Sequence, residues 1–90
     1  MKILVELTPL QLQVIACIML IDGNKIIAHK LNVSTDRIKS TLTGLYRILP
    51  VKSKVALALW AVENGFKVNA HHNRVTFNGK VIYDVQQVVA

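Results

Sequence analysis

The sequence predicts a mainly α chain in which four helices are followed by a small β-hairpin, and three observations carry that expectation. Helix-start residues precede apolar positions that recur at helical spacing; Pro50 and Gly65 punctuate the chain where such periodicity stops; and from Phe66 onward the pattern alternates around Asn78-Gly79. At 90 residues with 52% hydrophobic content and two prolines, the chain is expected to form one folded domain and not a disordered one.

Helix one is expected over residues 9–20. Thr8 offers a capping hydroxyl, Pro9 suits the first turn, and apolar residues recur at 10, 14, 17, 18 and 21. Leu12, Ile15 and Met19 fall off that stripe, so the helix is apolar on more than one side and should lie between partners. Its apolar run, Val14 to Ile21, is well short of the roughly 20 residues of a membrane span. Cys17 lies within the run, where it reads as a small buried hydrophobe, and as the only cysteine it excludes an internal disulfide. The start, MKILVELTPL, has no cleavage-site pattern, which predicts a cytoplasmic protein.

Asp22, Gly23 and Asn24 break the first helix, and residues 24–31 form a short second one with Ile27, Ala28 and Leu31 on one face. The turn "NVS" follows. Ser34 is a natural N-cap for a third helix over 34–49, with Asp36 in the first turn where the helix dipole favours a carboxylate. At about 100° per residue, Ile38, Leu42, Leu45 and Leu49 share a narrow stripe and Asp36, Ser40, Thr43 and Arg47 lie opposite. Helix four is expected over 52–64 with Gly65 as its stop, and "VALALWAV" makes it apolar all round. One core contact cannot bury that much, so either the C-terminal segment or a partner chain covers the second face.

Beyond Gly65, "FKVNAH" alternates and "RVTFNGKVIY" sets two β-rich runs about a two-residue turn. Asp84 is placed to cap a short terminal helix bearing Val85, Val88 and Val89. The hairpin could serve as a wing, with Arg74 and Lys80 toward a nucleic-acid backbone, or Phe77, Val81 and Tyr83 could cover helix four.

The net charge of +6 is concentrated in residues 23–54, where Lys25, Lys30, Arg37, Lys39, Arg47, Lys52 and Lys54 face Asp36 alone. Such clustering marks either a polyanion-binding surface or a solvated basic face. Short polar residues flanked by Arg37 and Lys39 would let helix three approach a grooved partner closely, whereas a helix selected for solubility favours Glu–Lys pairs.

Two helices joined by a short turn, the second with a polar and basic face, describe a helix-turn-helix. The residues "LTP" at 7–9, "NKIIA" at 24–28, Leu31, "VS" at 33–34, "IK" at 38–39, "LYRIL" at 45–49 and "VKSK" at 51–54 go further. Over residues 7–65 the chain resembles the LuxR/GerE family of DNA-binding domains at ungapped spacing. It departs from that pattern at Gln11, Gln13, Ile26, Arg37, Thr41, Pro50 and Lys54, and Ile26 in place of a charge suggests a contact surface. Residues 1–65 are thus expected to be the LuxR-like domain and 66–90 a β-hairpin extension packed on it.

The resemblance implies a transcriptional regulator that binds duplex DNA with helix three in the major groove. Lys39, Ser40 and Thr43 would reach base edges, with Arg37 at the helix start; Lys25, Arg47, Lys52, Ser53 and Lys54 would hold phosphates. It also implies a homodimer through helix four, where Val55, Leu59 and Val62 share a stripe and Trp60 is either an anchor at that contact or a core residue. No sensing domain precedes the module in this sequence, which fits a stand-alone, nucleoid-associated regulator such as a phage or mobile-element protein. The alternative is the same fold used as a protein-interaction module, binding a partner such as RNA polymerase through Ile26, helix four or the tail.

Neither a metal nor a cofactor is expected. His71 and His72 are adjacent in a β-prone stretch and point to opposite faces, with no cysteine nearby. No Gly-rich phosphate loop or nucleophile-and-base set can be assembled, so the chain is not expected to be an enzyme.

Overall fold

The computed structural model describes residues 6–69, 71 and 74–84. It contains four helices, α1 (Pro9–Met19), α2 (Asn24–Leu31), α3 (Thr35–Ile48) and α4 (Lys54–Glu63), then a three-stranded antiparallel sheet of β1 (Phe66–Asn69), β2 (Arg74–Phe77) and β3 (Lys80–Asp84) in the order β1-β2-β3.

α1 begins with a reciprocal cap. The Gln11 amide donates to Thr8 Oγ1 at 3.1 Å, and the Thr8 amide donates back to Gln11 Oε1 at 2.8 Å. It ends when Ile21 turns left-handed at φ 63; the Ile21 amide then donates to the Ile18 carbonyl and the Asp22 amide to the Cys17 carbonyl. That pair of hydrogen bonds is the helix stop usually built on glycine. Between these ends Val14, Ile15, Ala16, Cys17 and Ile18 are all buried, and five consecutive residues cover every side of a helix. α1 is accordingly the central element, touched by α2, α3, α4, β1 and β3, as its all-round apolar character requires.

α3 buries Ile38, Leu42 and Leu45, with Leu49 beyond its end, and it is capped by Ser34, whose Oγ accepts from the Arg37 amide at 3.0 Å. Leu49 is extended, as the residue before Pro50 must be. The fourth helix differs from expectation at its start. Ser53 is the cap, accepting from the Ala56 amide at 3.1 Å, so Lys52 and Ser53 precede the helix. Asn64 closes it, donating through Nδ2 to the Trp60 carbonyl at 2.8 Å.

The β segment holds one strand more than a hairpin, because "FKVN" pairs along its length with "RVTF". Asn78 and Gly79 both take positive φ, 54 and 77, the two-residue turn whose twist suits a hairpin. Val75 faces Tyr83 and Thr76 faces Val81, so Ile82 is an extra residue on β3. This bulge sets Tyr83 instead of Ile82 opposite Val75, on the inner side with Phe66 and Phe77, which stack at 4.5 Å. The sheet lies on α1 through β3 and on α4 through β1. The expectation that Phe77, Val81 and Tyr83 together cover helix four is therefore corrected: Tyr83 is buried in the junction with α1, and Val81 is exposed. Asp84 ends β3 opposite Arg74, and the terminal helix with Val85, Val88 and Val89 lies outside the described residues.

Candidate nucleic-acid interface

α2, the turn Asn32–Ser34 and α3 form one unit, with Ile27 and Ala28 of α2 and Ile38, Leu42 and Leu45 of α3 in the common core. Asn32 makes the turn in the left-handed region at φ 57, a conformation asparagine tolerates better than most residues. Because the core side of α3 is fixed by burial, its opposite side must face out. Asp36, Ser40, Thr43 and Arg47 are exposed there, with Arg37 and Lys39 exposed on the flanks.

The charges on this unit are mostly unneutralised. Lys30 is spent internally: its Nζ donates to Asp22 Oδ2 at 2.7 Å and lies 5.5 Å from the Tyr83 ring centroid. Burial alone would lower the Lys30 ammonium, but the hydrogen bond and charge of Asp22, with Tyr83 and Cys17, outweigh it and hold it above its ordinary value. Lys25, Arg37, Lys39, Arg47, Lys52 and Lys54, by contrast, make no ion pair within the described residues. Asp36 is not paired with its neighbours Arg37 and Lys39 either, so the carboxylate leaves their charge available.

The hydroxyls of α3 turn back on their own helix. Ser40 Oγ donates to the Arg37 carbonyl at 3.0 Å, Thr41 Oγ1 to the same carbonyl at 2.7 Å and Thr43 Oγ1 to the Lys39 carbonyl at 3.0 Å. Gly44 sits in the middle of α3, and a Cβ built there would meet nothing within 4 Å. Glycine inside a helix costs about 1 kcal/mol relative to alanine, and no neighbour in the fold accounts for it.

Other expected site residues are distributed less simply. Lys25 and Lys52 are exposed, as is Ser53, whose oxygen is engaged in the cap of α4. Lys54 lines a groove of about 420 Å³ between the end of α1 and α4, together with Ile18, Ile21, Val55, Ala58 and Leu59. Val55, Leu59 and Val62 stand 72%, 61% and 59% exposed on one stripe of α4, so neither the sheet nor the core covers the second face of that helix. Trp60 departs from this stripe by roughly 100–160° at helical spacing. It is half-buried beside Phe66, with ring centroids 6.3 Å apart, so its aromatic contact is with the sheet. Ile26 is 52% exposed on α2, and Ile21 is 92% exposed at the mouth of the groove. Ile21 escaped the sequence reading because its position matched the helix-one stripe.

His71 is exposed and His72 lies outside the described residues. No helix among the described residues is long and apolar enough to cross a membrane. Comparison with protein-family models, with curated proteins and with solved structures finds no match.

Proposed function

We propose that this chain is a helix-turn-helix domain of the LuxR/GerE kind that binds duplex DNA with α3 in the major groove and regulates transcription by occupying a promoter. The observation that carries the reading is the outer side of α3: exposed Arg37, Lys39, Ser40, Thr43 and Arg47, opposite a buried apolar side, with the three cations free of ion pairs among the described residues. Short polar side chains permit close approach, and the cations supply the attraction to phosphate. The open space at Gly44 supports the same reading, since room on that side of the helix serves an approaching partner and nothing in the fold. Arg37 and Lys39 reach toward guanine O6 and N7, while Lys25, Arg47, Lys52, Ser53 and Lys54 hold the backbone. Two copies associate through the exposed stripe Val55, Leu59 and Val62, which would set two recognition helices against two half-sites.

Exposed Ile26 favours a second reading, the same fold docking on another protein. Salt separates the two. Binding to a random duplex should fall steeply as salt rises, because phosphate contacts release counterions, whereas an apolar protein contact responds weakly. On a preferred site, Lys39→Ala should cost about 1–3 kcal/mol and relax sequence preference; Lys52→Ala should weaken all duplexes alike and reduce the salt slope by about one. Absence of duplex binding at low salt would reject the DNA reading in favour of the protein partner.

A further inference from the structure

We infer that Asp36, Ser40 and Thr43 form an acceptor line along α3 that selects amino-bearing bases, adenine or cytosine, over keto bases at the base edges they meet; the inference rests on the duplex-binding reading above.

A hydroxyl carries one proton. A carbonyl oxygen has none to give, so in the bonds from Ser40 to the Arg37 carbonyl and from Thr43 to the Lys39 carbonyl the hydroxyl is necessarily the donor. While that proton bonds the helix carbonyl, each oxygen meets a ligand through its lone pairs. An ionised Asp36 is likewise acceptor-only. All three residues are exposed, and at about 100° per residue they fall within a strip some 60° wide opposite the buried stripe. Arg37 and Lys39, which can only donate, lie on either side of the strip. Between Asp36 and Thr43 the outer face of α3 is thus divided by hydrogen-bond polarity, with acceptors on the midline and cationic donors on the flanks; one turn further on, exposed Arg47 continues the midline as a donor.

That division matches a chemical difference between bases. In the major groove adenine presents N6–H₂ and cytosine N4–H₂, whereas guanine O6 and thymine O4 are acceptors. A lone pair on Ser40, Thr43 or Asp36 set against a keto oxygen gains no hydrogen bond and meets repulsion; set against an amino group it accepts. Every base pair carries one amino group in this groove, so the line fixes which strand bears it at each contacted step. The cations have the opposite preference and select keto bases beside it.

Selection of sites from a randomised duplex library by the full chain, in parallel with Ser40→Ala/Thr43→Val, tests this. Valine keeps the shape of threonine and removes the hydroxyl, with its acceptor lone pairs and its bond to the Lys39 carbonyl. The parent should enrich adenine or cytosine at fixed steps, and the double variant should lose that enrichment while keeping the salt slope of binding. Replacing a selected adenine by purine, which lacks the 6-amino group, should weaken the parent about two- to tenfold, the range set by one net hydrogen bond, and leave the variant unchanged. Enrichment of guanine or thymine at those steps, no preferred base there, or equal loss in parent and variant would overturn the acceptor line while salt-steep binding upheld the DNA reading. If no duplex binds with steep salt dependence, both fall together.

Discussion

Ile21 is a β-branched residue in the left-handed region, 92% exposed, at a position where helices usually place glycine. An L-residue there gives up roughly 1–2 kcal/mol, and glycine's extra backbone freedom takes back about 0.5–1 kcal/mol. Ile21→Gly should therefore stabilise the monomer by up to about 1 kcal/mol in urea unfolding. Because Ile21 lines the groove with Val55 and Leu59, the same variant should weaken self-association in sedimentation. Weaker folding with unchanged association would show that Ile21 serves the fold and not a contact. Gly44 poses the converse case. Gly44→Ala should add about 1 kcal/mol of stability, since the new methyl meets nothing, and should weaken duplex binding by filling the approach side of α3. Equal duplex affinity in the alanine variant would mean that DNA does not come close to that position.

Among the elements, β3 illustrates how one added residue redistributes burial. With a regular ladder from the Asn78-Gly79 turn, Val75 would face Ile82; the bulge makes it face Tyr83, which is 3% exposed. Tyr83→Ala should thus cost about 3 kcal/mol, near the lower end for a large aromatic in a core, and Ile82→Ala about 1 kcal/mol. Measured by chemical denaturation, the reverse order would mean that the ladder is regular. α4 carries the complementary lesson. Leu57 and Ala61 are buried while Val55, Leu59 and Val62 stand out, so an element apolar on all sides has only one side occupied within the described residues.

At the scale of the molecule, α1, α2 and the sheet meet at a junction of Cys17, Asp22, Lys30 and Tyr83. Burial, with help from the Asp22 charge and against the opposing pull of Lys30, pushes the Cys17 thiol up to about 12. Both Cys17 and Lys30 thus have folded-state pKa values above their ordinary ones. Groups of this kind give their full stabilisation below the unfolded pKa, about 8.5 for a thiol, and lose it as pH rises through the folded value. Stability should be flat near neutrality and decline from about pH 9 toward 12, with a shallower decline in Cys17→Ala; identical slopes would remove Cys17 from the effect. A thiol reagent at pH 8 should react with Cys17 only after unfolding.

What the sequence determined by itself is local. Thr8-Pro9, Ser34, Pro50 and Asn78-Gly79 mark their ends and turns because capping hydroxyls, a fixed φ and tolerance of positive φ act within a few residues. The inner and outer sides of α3 were legible for the same reason: its apolar stripe has one period and one face. The start of α4 was missed by two residues, because Ser53 reads equally as helix or as cap until its oxygen is seen to accept from Ala56. The third strand, the bulge at Ile82, the contact of Trp60 with Phe66 and the glycine-like turn at Ile21 were decided only by the tertiary structure. Each depends on which of several equally apolar residues finds a neighbour, and that choice belongs to the packing of α1 against the sheet and α4, where residues far apart in sequence compete for one core.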